Sequence, residues 1–132
     1  PYNPHNLKKG KTSKIAVAIA GICANFSIAL LFGLCMRFGP LFGLSYGAYL
    51  PIYHILSIIV LTNLVLGFFN LIPIPPLDGS KILFELMPAR FHFIEAFLER
   101  WGMFVLLFFI IFLWEHVSPV ITFLFSLITG LQ

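Results

Sequence analysis

Asn70, Asp78 and three prolines, Pro73, Pro75 and Pro76, fall within the ten residues from Asn70 to Gly79, at the end of a long apolar run. A carboxylate in hydrocarbon needs a cation beside it, and prolines leave carbonyls without helical partners. Together with an amide, these are the ingredients of a metal or hydrogen-bonding site rather than of plain packing. Upstream, Asn63, Gly67 and Asn70 recur at i, i+4 and i+7, so two amides share one helical face that leads into the proline break. Asn25 is a further amide in an apolar run, and it must point into a helix bundle to find a partner. Asp78 has a second reading, because it precedes the short helical stretch Ser80 to Met87, ended by Pro88, and Asp is a common helix N-cap. The proline-rich entry and the amide stripe favour the site.

The other ionisable residues carry weaker signals. None of His5, His54, His92 and His116 is followed by Glu-x-x-His, the spacing that puts two metal-binding imidazoles on one helix face beside a base. His92 and Glu95 stand three apart and could hold a metal, but two donors are a weak signal. Glu95 and Glu99 read as a solvated face, and His54 as an interfacial anchor. Glu115 and His116 are adjacent and so face different ways, as a boundary pair does. Cys23 and Cys35 lie about 18 Å apart along a helix, too far for a disulfide, and read as small buried apolar residues.

These groups must be positioned within a membrane. The chain has 132 residues, 60% hydrophobic and 10% charged, with a mean hydropathy of +1.00 and sixteen phenylalanines. Such a composition excludes a soluble domain. It predicts an all-α polytopic membrane protein, one membrane domain over residues 1–132, with three or four transmembrane or re-entrant helices and a proline-broken helix at the site. Residues 15–36 and 52–72 each span about 32 Å as helix, matching the hydrocarbon core. Residues 101–131 are interrupted near Glu115 to Pro119, so they form either one long kinked helix or a crossing followed by a return. Residues 1–14 read as a loop or interfacial strand. Residues 37–51, with Tyr46, Tyr49 and Tyr53 nearby, read as a turn-rich loop on an aromatic belt, and residues 89–100 as an amphipathic surface segment. Gly21, Asn25, Ala29 and Gly33 recur at every fourth position, a close-packing stripe.

Charge orients the spans. Lys8, Lys9, Lys11 and Lys14 precede the first, Arg37 alone follows it, and Lys81, Arg90 and Arg100 follow the second. That alternation predicts a cytoplasmic N-terminus, an outer loop and a cytoplasmic central segment; the expected location is the plasma membrane of a prokaryote. Basic residues in front of an apolar helix point to membrane lipids as the partner, with no nucleic acid. The start, Pro1-Tyr2-Asn3-Pro4, has turn chemistry rather than that of a signal peptide, and the chain reads as continuing from an upstream segment.

The stretch Phe69-Asn70-Leu71-Ile72-Pro73-Ile74-Pro75-Pro76-Leu77-Asp78-Gly79 resembles the Asn-x-x-Pro…Leu-Asp-Gly signature of the site-2 protease family of intramembrane zinc metalloproteases. Three more features fit: the approach Asn3 to Lys8, the segment Ala20 to Asn25 with Ile22 in place of the usual proline, and Asn63. The resemblance covers roughly residues 3–90. It implies that Asp78 is a zinc ligand, the third after two histidines of an His-Glu-x-x-His helix. It also implies that Asn70 supports the substrate or its oxyanion, and that Pro73, Pro75 and Pro76 form a break where an extended stretch of a transmembrane or membrane-anchored substrate adds as a strand. Asn63 and Asn25 would be the supporting polar face. With no His-Glu-x-x-His in the sequence, the chain is expected to be the C-terminal part of a longer enzyme. The alternatives are an inactive scaffold that uses the Gly21 to Gly33 stripe, or an ion-coordinating transporter subunit with a second broken helix near Glu115 to Pro119.

Overall fold

The computed structural model describes residues 4–44 and 47–131, and the side chains of these except residues 4–9 and 11. Four α-helices follow one another: α1 (Pro4–Phe38), α2 (Leu50–Asn70), α3 (Asp78–Leu86) and α4 (His92–Thr129). Short 3-10 turns fill Gly39–Phe42 and Ala89–Phe91, and no strand occurs among the described residues. The protein is all-α. Three stretches, Thr12–Phe42, Leu50–Leu71 and Ala89–Thr129, are long and apolar enough to cross a bilayer. Their outer faces are apolar too: Leu41, Phe42, Phe108 and Ile111 are more than 70% exposed, which suits a surface solvated by lipid.

Several local expectations change. Residues 4–14 are the first turns of α1 rather than loop or strand. Pro4 is tolerated in a first turn, where its missing N–H has no partner to lose, and lysine is among the better helix formers. A stretch without apolar periodicity conceals such a helix. Cys23 and Cys35 are exposed on α1 instead of buried. Tyr53 is buried and donates its hydroxyl to the Leu44 carbonyl at 2.8 Å rather than joining a belt, whereas Tyr49 is exposed and Tyr46 lies outside the described residues. Helix α4 runs through Glu115 to Pro119 without interruption, so of the two readings of that region the single long helix holds. Pro119 removes the N–H that would bond the Glu115 carbonyl, yet the helix continues past it, and beyond the proline Thr122 donates its hydroxyl to the Ser118 carbonyl at 2.9 Å.

The chain divides into two compact units, Pro1–Cys23 with Phe68–Phe112, and Ala24–Gly67 with Leu113–Gln132. The first has a core of Ile72, Ile74 and Leu106, with Phe69, Leu77, Val105 and Phe109 packed around it. The second is held by close approach at glycine. A Cβ on Gly33 would overlap the Ile128 side chain, and one on Gly67 would stand 2.9 Å from the Phe26 ring. Ala29 is fully buried, so this part of the small-residue stripe is spent on packing within the unit. Arg37 donates to the Leu127 carbonyl at 2.6 Å, satisfying one of the orphan acceptors at the end of α4, and Gly130 closes that end with φ +74.

Candidate metal centre

Helix α2 ends at Asn70 because Pro73, Pro75 and Pro76 cannot donate the next helical hydrogen bonds. The N–H groups that remain are used locally: Leu71 to Phe68 O at 3.1 Å, Ile72 to Phe69 O at 3.0 Å, Ile74 to Ile72 O at 2.9 Å and Leu77 to Ile74 O at 3.1 Å. The Pro75-Pro76 peptide is cis. The break therefore presents acceptors and no free donor between residues 71 and 77, which narrows the expectation that it takes up a peptide as a strand. Strand addition alternates donors and acceptors, and this segment supplies only carbonyls. Pro73 and Pro76 are exposed, while Pro75 is half-buried, its carbonyl 3.0 Å from where a Cβ on Gly102 of α4 would stand.

After the break the chain folds back on its own start. A Cβ on Gly79 would lie 2.5 Å from the Ile72 carbonyl oxygen and 2.6 Å from that of Leu71, closer than any side chain tolerates. Only glycine allows this approach, and it brings the Asp78-Gly79 pair against the carbonyls next to Asn70. Asp78 is the first residue of α3. The N-cap position belongs to Leu77, which makes no side-chain cap hydrogen bond, so capping is not what the Asp78 carboxylate does. Instead Oδ1 lies 3.1 Å from Lys81 Nζ, and Oδ2 lies 3.3 Å from where a Cβ on Gly21 of α1 would stand. The carboxylate is 28% exposed and Lys81 53%. Ser80 is buried and donates its hydroxyl to Leu77 O at 2.7 Å, and among the described residues no buried side-chain polar atom is unsatisfied.

Of the amides, Asn70 is half-buried at the end of α2, and its side chain makes no hydrogen bond among the described residues. Asn63 donates to the Ile59 carbonyl of its own helix at 2.8 Å, leaving its oxygen free to accept. Asn25 is half-buried in α1. Asn25 and Asn63 belong to the second unit, and Asn70, Asp78, Lys81, Gly21 and Gly79 to the first. Sequence reasoning missed two of these parts, Lys81 and the seat at Gly21. The spacing of Lys81, three residues after Asp78 in a helical stretch, was the available signal, as was the place of Gly21 in the Ala20 to Asn25 segment.

Other metal donors are dispersed. His92 Nδ1 lies 3.6 Å from Glu95 Oε2, so that pair is spent on itself. His54, Glu115 and His116 are exposed, and the His5 side chain lies outside the described residues. Glu95 and Glu99 line a pocket of about 410 Å³ with Lys14, Lys81 and Glu85, where Lys14 pairs with Glu85 at 3.4 Å. Among the described residues no three His, Cys, Asp or Glu side chains converge on one point. Asp78 thus fits one ligand position of a zinc site: it is an oxygen donor of the right kind, seated on glycine at one oxygen and held at the other only by a displaceable ammonium.

Residues 45–113 match peptidase family M50. The chain is similar to "Putative zinc metalloprotease YwhC" of Bacillus subtilis (strain 168), 31% identical over 121 residues, which are 90% of this chain and 52% of that protein. It is also similar to "Zinc metalloprotease MJ0392" of Methanocaldococcus jannaschii, 30% identical over 86 residues, or 65% of this chain and 23% of that protein. The chain spans about half the length of the first relative and about a quarter of the second. No solved structure matches it.

Proposed function

The chain belongs to peptidase family M50, and on that premise we propose that it forms part of the active site of an intramembrane zinc metallopeptidase that cleaves transmembrane segments of its substrates. The observation that carries the reading is the Asp78 carboxylate, released from helix capping and held at the mouth of a proline-broken membrane helix. When bound, zinc supplies a Lewis acid that polarises a peptide carbonyl and makes a water acidic enough to ionise near neutral pH. Asp78 would hold it, with the other ligands and the general base coming from residues outside those described. Asn70 has an uncommitted amide, and its N–H can donate to a substrate carbonyl or to the charge that develops on it. The carbonyls of the break accept from the substrate backbone, so a bound peptide is oriented through its own donors.

The transporter alternative requires a second broken helix, and α4 runs through the only candidate region. The scaffold alternative requires an open Gly21 to Gly33 stripe. Gly21 faces Asp78 in the first unit, and Gly33 faces Ile128 in the second. The test is substitution in the full-length protein. Asp78→Ala is expected to remove proteolysis of a membrane substrate and to lower bound zinc measured by atomic emission. Full activity with zinc retained would sink the assignment. Asn70→Ala should leave expression and zinc near parental levels while turnover falls by roughly 100-fold, the range seen for loss of one oxyanion donor.

A further inference from the structure

Lys81 borders two acidic environments with its side chain. Its ammonium sits 3.1 Å from Asp78 Oδ1, and its side chain also lines the pocket that holds Glu85, Glu95 and Glu99. Glu85 is engaged by Lys14 at 3.4 Å and Glu95 by His92 at 3.6 Å, whereas Glu99 is exposed and without a partner among the described residues. The Lys81 side chain is 53% exposed on a flexible four-carbon stem, so its pairing with Asp78 is weak and easily exchanged. An ammonium beside the carboxylate repels a dication that approaches the same group and so competes with it for Asp78.

From this geometry we infer that Lys81 is a positioning residue for the metal site: it neutralises Asp78 while the ligand position is empty and transfers to Glu99 in the pocket when a metal is bound. The inference rests on the proposed zinc ligation by Asp78 and adds a second state to it. In the empty state the ion pair keeps a half-buried carboxylate from standing unpaired. In the loaded state Glu99 receives the displaced charge, so metal affinity depends on a residue outside the ligand set.

The test is a titration of zinc against a competing chelator, with the full-length protein in detergent. Lys81→Met removes the competing cation and is expected to tighten zinc binding by roughly fivefold, the scale of one weak ion pair. Lys81→Arg retains the charge and should keep parental affinity, and Lys81→Gln repeats the Met result should that variant fold poorly. Glu99→Gln should weaken zinc binding about twofold to threefold, and this effect should vanish in the Lys81→Met background, as expected for coupled residues. A purely structural Lys81 gives the opposite sign, with weaker binding in Lys81→Met. Unchanged affinity in Lys81→Met, or a Glu99→Gln effect that persists without Lys81, overturns the inference. Asp78→Ala separates the two levels: if it leaves zinc affinity intact the metallopeptidase reading fails, and if it abolishes binding while Lys81→Met does nothing only the role of Lys81 fails.

Discussion

Gly79 shows how a residue without a side chain can set a site. The Leu71 and Ile72 carbonyls occupy the space a Cβ would need, so Gly79→Ala forces the backbone apart where the chain folds back after the prolines. The expected loss is roughly 1–3 kcal/mol, at the level of overpacking a core, read as a lower melting temperature in detergent and as lower zinc content. Gly21 is a milder case. A Cβ there would stand 3.3 Å from Asp78 Oδ2, the tip of a side chain that can turn. Gly21→Ala is expected to leave the melting temperature nearly unchanged and to weaken zinc binding a few-fold in the chelator titration. The Asp78-Gly79 signature was legible as a pattern, and Asp78 could be singled out from its setting. That its carboxylate would rest against Gly21 was not, because the two stand fifty-seven positions apart in the sequence.

At the level of elements, the helices are longer than the apolar runs that announce them. Helix α1 has 35 residues, about 52 Å, and α4 has 38, about 57 Å, well beyond a hydrocarbon core of about 30 Å. Hydropathy marks only the part of a helix that lipid covers, and the lysine-rich start of α1 lies outside that part. Close packing in the second unit rests on Gly33 against Ile128. Gly33→Ala should destabilise the protein by about 1–3 kcal/mol, as added volume in a tight contact does. Ile128→Ala should recover much of that loss in the double variant, because it removes the overlapping methyl group. Additive losses in thermal denaturation would show that the two residues are not in contact.

Taken as a whole, the molecule keeps its charge in one place. Every charged residue except Arg37 and Glu115 belongs to the first unit, together with Asn70 and the proline break. Basic residues favour the cytoplasmic side of a bilayer, so the expected topology, with a cytoplasmic N-terminus and central segment and an outer loop at residues 37–51, is open to a direct test. In a background with Cys23 and Cys35 replaced by Ala, a cysteine at position 42 should react with an impermeant maleimide in intact cells. Cysteines at positions 11 and 90 should react only after permeabilisation. Labelling of either in intact cells would reverse the topology.

Composition and residue order alone determined the all-helical membrane class, the three spanning stretches and the stretch from Asn70 to Gly79 as the centre of interest. Those features depend on local quantities: hydropathy over twenty residues, helical spacing, and the inability of proline to donate. Tertiary structure decided what each group touches. It moved Asp78 from a possible cap to a carboxylate shared between Lys81 and the seat at Gly21, and turned the proline break into a set of acceptors by using up its donors. It also joined the two apolar pieces around Pro119 into one helix. Contacts between residues far apart in sequence carry no local signature, so only the folded chain could reveal them.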